Sequence, residues 1–90
     1  MELDQIKNMS IPHGALVELM WDDRSGRGIN PAYYLRIIEE LPEMFKTGHK
    51  TPPYVEFAFG KDRNGVHKDI REYIPNEILK LEVHGPSRFV

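Results

Sequence analysis

The chain contains no cysteine. That excludes a disulfide scaffold and a thiolate metal site, the usual supports of a small secreted domain. Long hydrophobic runs are also missing. The longest unbroken apolar stretches, such as Ala32-Tyr33-Tyr34-Leu35, are a few residues long, far short of the ~20 that a membrane-crossing helix needs. Met1-Glu2-Leu3-Asp4 has neither the basic region nor the apolar run of a secretory leader, so a cytoplasmic location and no membrane partner are expected. No block of like charge stands out, and the net charge is only -2. Strong non-specific binding to nucleic acid draws on a basic surface that displaces counterions, and this chain as a whole does not supply one.

Material for catalysis is equally sparse. The serines, Ser10, Ser25 and Ser87, lie outside any nucleophile-elbow context, and there is no thiol to take their place. His13, His49, His67 and His84 never fall three or four residues apart, so no helix-borne metal site is encoded. Asp22-Asp23-Arg24-Ser25-Gly26 fails as a calcium loop, because Arg24 occupies a ligand position and the distal glutamate is absent. Gly26-Arg27-Gly28 lacks the third glycine and the long strand-helix-strand unit of a dinucleotide fingerprint. Glu39 and Glu40 are neighbours, and on a strand they would point apart. No catalytic residues, no metal and no cofactor are expected, and the chain reads as something other than an enzyme.

What is present suits a small globular domain. Hydrophobic residues make up 40% of the chain and aromatics 10%, enough to build a core rather than leave the chain disordered. At 90 residues there is room for one core. The expected organisation is a lead-in over 1–13, one β domain over 14–84, and a tail over 85–90 in which Phe89 could dock. Leu3, Ile6 and Met9 fall on one side of a short helical turn, so the lead-in is either a frayed end or a short helix that caps the domain.

Alternation marks the strands. Val17, Leu19 and Trp21 share one face of a strand over 15–21. A polar loop over 22–32 follows, with Gly26 and Gly28 suited to positive φ. Residues 33–41 satisfy two templates. As a strand, Tyr33, Leu35 and Ile37 share a face. As a helix, Asn30 caps, Pro31 takes the first position, and Tyr34, Ile37, Ile38 and Leu41 line one side. The adjacent tyrosines and adjacent isoleucines favour strand. A connector over 42–53 leads to a strand over 54–59, with Val55, Phe57 and Phe59 on the core side. Asn64-Gly65 is a strong hairpin signal. The return strand, 66–74, is expected to turn Val66, Ile70 and Ile74 inward, and Leu79, Leu81 and Val83 alternate in a last strand.

Five short strands in this order suggest a mostly β fold, a small five-stranded barrel that resembles the SH3-like architecture. With a helix at about 31–41 the alternative is α+β, that helix lying on a four-stranded antiparallel sheet.

The candidate contact residues are Arg24, Arg27, Tyr33, Tyr34, Tyr54, Lys61 and Arg63. Tyr and Arg are enriched at binding hot spots, and these lie in or beside loops or at strand ends. The resulting expectation is a protein-interaction module, an adaptor, accessory subunit or phage-type inhibitor that docks a protein partner through loops and exposed tyrosines. The alternative partner is nucleic acid, held by Arg24, Arg27, Lys61, Arg63 and Lys68 with tyrosine stacking.

Overall fold

A computed structural model describes residues 1–85; the anticipated docking of Phe89 lies outside the described residues. The chain runs α1 (Leu3–Asn8), β1 (Leu16–Asp23), β2 (Gly26–Ile38), a 3₁₀ turn (Glu43–Phe45), β3 (Tyr54–Lys61), β4 (His67–Tyr73), a second 3₁₀ turn (Pro75–Glu77) and β5 (Ile78–Gly85). The strands make one antiparallel sheet in the order β4-β3-β2-β1-β5. The mostly β class and the five strands match the expectation, and the helix alternative for 31–41 does not form. The closure of a barrel is not seen: β4 and β5 are the two edges of the sheet and do not pair with each other.

The strand 33–38 is decided by its neighbours. Tyr34 pairs with Phe57 and Arg36 with Glu56, leaving Leu35 as the extra residue of a β-bulge. The bulge breaks the two-residue period, so Tyr34 and Leu35 are both buried. The core gathers Val17, Leu19, Ala32, Tyr34, Val55, Phe57 and Tyr73 on one face of the sheet, closed by Ile78 and Leu81 from β5. The lead-in joins it: Ile6 of α1 is 1% exposed. The Met1 backbone nitrogen donates to the carbonyls of Pro75 and Ile78 and fixes the start of α1 beside β5.

Three local expectations are corrected. Residues 22–32 are not a loop. β1 and β2 are paired from Leu16↔Tyr33 to Asp23↔Gly26, and the chain reverses at Arg24–Ser25. A tight turn is possible there because Asp23 accepts from the Ser25 backbone and hydroxyl, and Gly26 takes φ 130°. On β4 the inward face is the other one. Val55 pairs with Tyr73 and Phe57 with Arg71, so those positions share the core side, and Val66 and Ile70 are exposed. On β5 a register shift opposite Met20 and Trp21 interrupts the alternation. Ile78 fills the core there, and Leu79 is turned out.

The Asn64-Gly65 hairpin forms as expected. Gly65 N–H donates to the Asp62 carbonyl (3.1 Å), so the reversal is centred on Arg63-Asn64 and Gly65 takes the positive φ, 81°, while Asp62 Oδ1 accepts from the backbone N–H of Asn64 (2.8 Å) and Val66 (2.9 Å).

Candidate functional site

Trp21 begins the site. It sits at the end of β1, opposite Gly28. A Cβ on Gly28 would come within 2.8 Å of the indole Cζ2, so the absence of a side chain is what lets the ring lie across β2. The indole N–H then donates to Asn30 Oδ1 at 2.8 Å. Gly28 therefore provides space rather than the positive φ expected of it. The indole centroid stands 5.8 Å from the Tyr73 ring. Tyr73 in turn stacks on Phe59 (6.3 Å) and meets Phe57 edge-on (6.0 Å). Phe57 and Tyr73 are buried; Trp21 and Phe59 are half-buried and continue the aromatic cluster to the surface.

Two cations lie over these rings. The Arg71 guanidinium is 4.4 Å from the centre of the Phe59 ring, and Lys50 Nζ is 5.3 Å from that of Tyr73. Both fall within cation–π range. Asp69 holds Arg71 in place through two 3.2 Å contacts, at Nε and Nη2. Lys50 is fixed twice: its backbone N–H donates to Glu72 Oε1 (2.8 Å) and its ammonium to Glu77 Oε1 (2.6 Å). His49 Nδ1 meets Glu72 Oε2 at 2.6 Å, and the imidazole stacks on Tyr54. In this way the connector is drawn across the outer edge of β4.

Between the connector, the β1–β2 turn and β4 lies an open groove of about 510 Å³, with Asp23, Ser25, His49, Lys50, Arg71 and Tyr73 on its walls. A second hollow of about 420 Å³ continues from His49 and Lys50 toward Glu39 and Pro52. The groove wall is electrostatically mixed. The Ser25 hydroxyl holds the Asp23 carboxyl below the usual carboxylate range, with Lys50 and Arg71 adding to the effect. Burial pushes the Tyr73 phenol up, against a smaller opposing influence from Arg71. Tyr73 thus stays neutral at physiological pH.

The sequence-predicted residues divide among different places. Arg24 and Arg27 are exposed on the β1–β2 turn beside the groove, and Arg27 is paired with Asp22 at 3.0 Å. Tyr34 and Tyr54 are corrected: both are buried, Tyr54 at 1% exposure, and neither offers a contact surface. Tyr34 packs edge-on against Phe57, and Tyr54 lies under His49.

Tyr33 and Lys61 form a second cluster. Lys61 Nζ is 4.4 Å from the Tyr33 ring centre, and His67 packs against both Tyr33 (5.4 Å) and His13 (5.7 Å). His13 Nδ1 donates to the Leu35 carbonyl. The buried Nε2 of His67 has no hydrogen-bond partner among the described residues. Burial pushes the His67 imidazole down, and Lys61 and His13 push it further. Arg63 is exposed on the adjoining turn.

Sequence reasoning missed His49, Lys50, Arg71 and the outward continuation of Trp21. Arg71 was readable only as a position two residues from Tyr73, once the register of β4 is known. Among the described residues no three His, Cys, Asp or Glu side chains come together as metal ligands, and no helix is long and apolar enough to cross a membrane. Comparison with protein-family models, curated proteins and solved structures finds no match for this chain.

Proposed function

We propose that the protein is a non-catalytic protein-interaction module, built on an SH3-like strand order, that docks a segment of a partner protein in the groove between the β1–β2 turn, the connector and β4. The single observation that carries this reading is the pair of cations on the groove wall, Arg71 and Lys50, each seated over a ring of the aromatic cluster behind it, Phe59 and Tyr73 respectively. Arginine is among the residue types enriched at binding hot spots. The partner's side of such a contact is a carboxylate that shares Arg71 with Asp69 and Lys50 with Glu77.

The nucleic-acid alternative draws less support. Of its five cations, Arg27 is paired with Asp22 and Lys68 stands 3.8 Å from Asp62. Lys61 lies on Tyr33, in the second cluster and not at the groove. A photoreactive residue at Ser25 or Ile70, on the rim of the groove, tests the proposal in extract of the source cell. The expected result is capture of one and the same protein from both positions, and none of it from exposed Glu18 of β1, three strands away from β4. Equal capture from Glu18 contradicts the proposal. Retention on a nucleic-acid column at about 50 mM salt that is lost by about 200 mM would favour the alternative.

A further inference from the structure

We propose that the free edge of β5 pairs with the same edge of a second copy of this chain, antiparallel about a two-fold axis through Leu81. The two edges of the sheet are handled differently. The β4 edge is shielded by the connector, through Lys50 and His49 on Glu72, and interrupted at Asp69, which takes φ 56°. Among the described residues β5 has one strand neighbour, β1, and the Met1 nitrogen engages only its first carbonyl, at Ile78. Leu79 and Val83 are exposed along it, at 47% and 38%. An unshielded edge with exposed apolar side chains is a template for another strand.

The side-chain pattern identifies the occupant. A two-fold axis perpendicular to a sheet keeps each side chain on its own face, so a residue meets one at an even separation in sequence. Centring the pair on Lys80 sets lysine against lysine, and centring it on Glu82 sets glutamate against glutamate. Centred on Leu81, each Lys80 stands opposite Glu82 of the second copy, and Leu81 meets its own counterpart. Within one strand Lys80 and Glu82 are already 3.7 Å apart. The dimer therefore extends one ion pair into a four-charge ladder on the face opposite the core. A single edge buries little area for a stable interface, so the association is weak, in the range of about 10 µM to 1 mM.

Sedimentation equilibrium of the full chain over that concentration range tests the pairing. Wild-type protein is expected to dimerise. Lys80→Glu and Glu82→Lys each set like charges in opposition and weaken association by about tenfold or more. Mixing the two variants restores it, since each lysine then faces a glutamate across the strands. Both side chains are more than half exposed, at 61% and 53%, so the melting temperature of each variant stays at the wild-type value and separates lost pairing from lost folding. A wild-type chain that remains monomeric at about 1 mM overturns the proposal. So does a dimer that Lys80→Glu leaves intact, or a mixture no more associated than its components.

Discussion

Gly28→Ala adds one methyl group at the place where Trp21 crosses β2. Its Cβ would stand 2.8 Å from the indole Cζ2, 3.1 Å from Cε2 and 3.3 Å from Nε1. Carbon atoms in contact rest about 3.5–4.0 Å apart, so the ring has to move by about 0.7 Å or more. The movement strains the 2.8 Å hydrogen bond to Asn30 Oδ1 and disturbs the packing on Tyr73. Overpacking of this kind costs about 1–3 kcal/mol, and losing the indole hydrogen bond adds about 1 kcal/mol. Against this, replacing a strand glycine returns about 0.5–1 kcal/mol in backbone entropy. The net expectation is destabilisation by about 1–3 kcal/mol, or roughly 4–24 °C in Tm for a domain of this size.

Gly60→Ala is the matched control. Nothing lies within 4 Å of its added Cβ, so it should be neutral or stabilise by about 0.5 kcal/mol. Urea melts followed by circular dichroism give both values. Trp21 is the only tryptophan, so its emission reports the displaced ring directly. A Gly28→Ala variant as stable as the parent, with unchanged emission, would refute the account of how the indole is seated.

Phe57→Ala should destabilise the domain by about 3–5 kcal/mol, because it deletes a fully buried ring that contacts Tyr34 and Tyr73; a melt like the parent's would show that the ring is not core. His67 gives an acid-dependent term. Its folded pKa lies below the ordinary value of 6.5, so the unfolded chain takes up more protons as pH falls, and stability drops from about pH 6.5 down to the depressed folded value. His67→Gln should flatten that part of the pH–stability curve, and an unchanged slope would assign it to another group. Arg24→Ala with Arg27→Ala should leave the stability within about 0.5 kcal/mol of wild type, since both side chains are exposed and Arg27 contributes only a surface ion pair; a large loss would show that the turn is structural.

Local chemistry was legible, and long-range burial was not. Asn64-Gly65 specifies its own hairpin, because Asp62, Asn64 and Gly65 supply the hydrogen bonds and the positive φ within one turn. Residues 33–41 fit both helix and strand on their own, and β1 and β3 decide between them by pairing on either side. The stretch 26–32 was read as a loop because its core-side positions, Gly28 and Asn30, carry no apolar signal. They are small or polar for the sake of Trp21, which fills that space from the neighbouring strand. Tyr34, Tyr54 and Tyr73 share the composition of contact residues but are covered by a bulge, by His49 and by Trp21 respectively. Their exposure depends on contacts that no local pattern records. The groove has the same origin: His49 and Lys50 reach β4 from a connector without periodicity, and they meet it through Glu72 and Glu77.

We propose that a partner protein docks in the groove walled by Lys50 and Arg71. Once cross-linking from Ser25 and Ile70 has yielded a partner, its affinity for the Lys50→Ala, Arg71→Ala double variant tests that claim most directly. Circular dichroism run alongside confirms that the variant is folded. A loss of about 2–4 kcal/mol, some 30- to 1,000-fold in Kd, is predicted. The Arg24→Ala, Arg27→Ala pair should lose far less. Unchanged affinity in a folded Lys50→Ala, Arg71→Ala variant would contradict the assignment of the groove as the docking site.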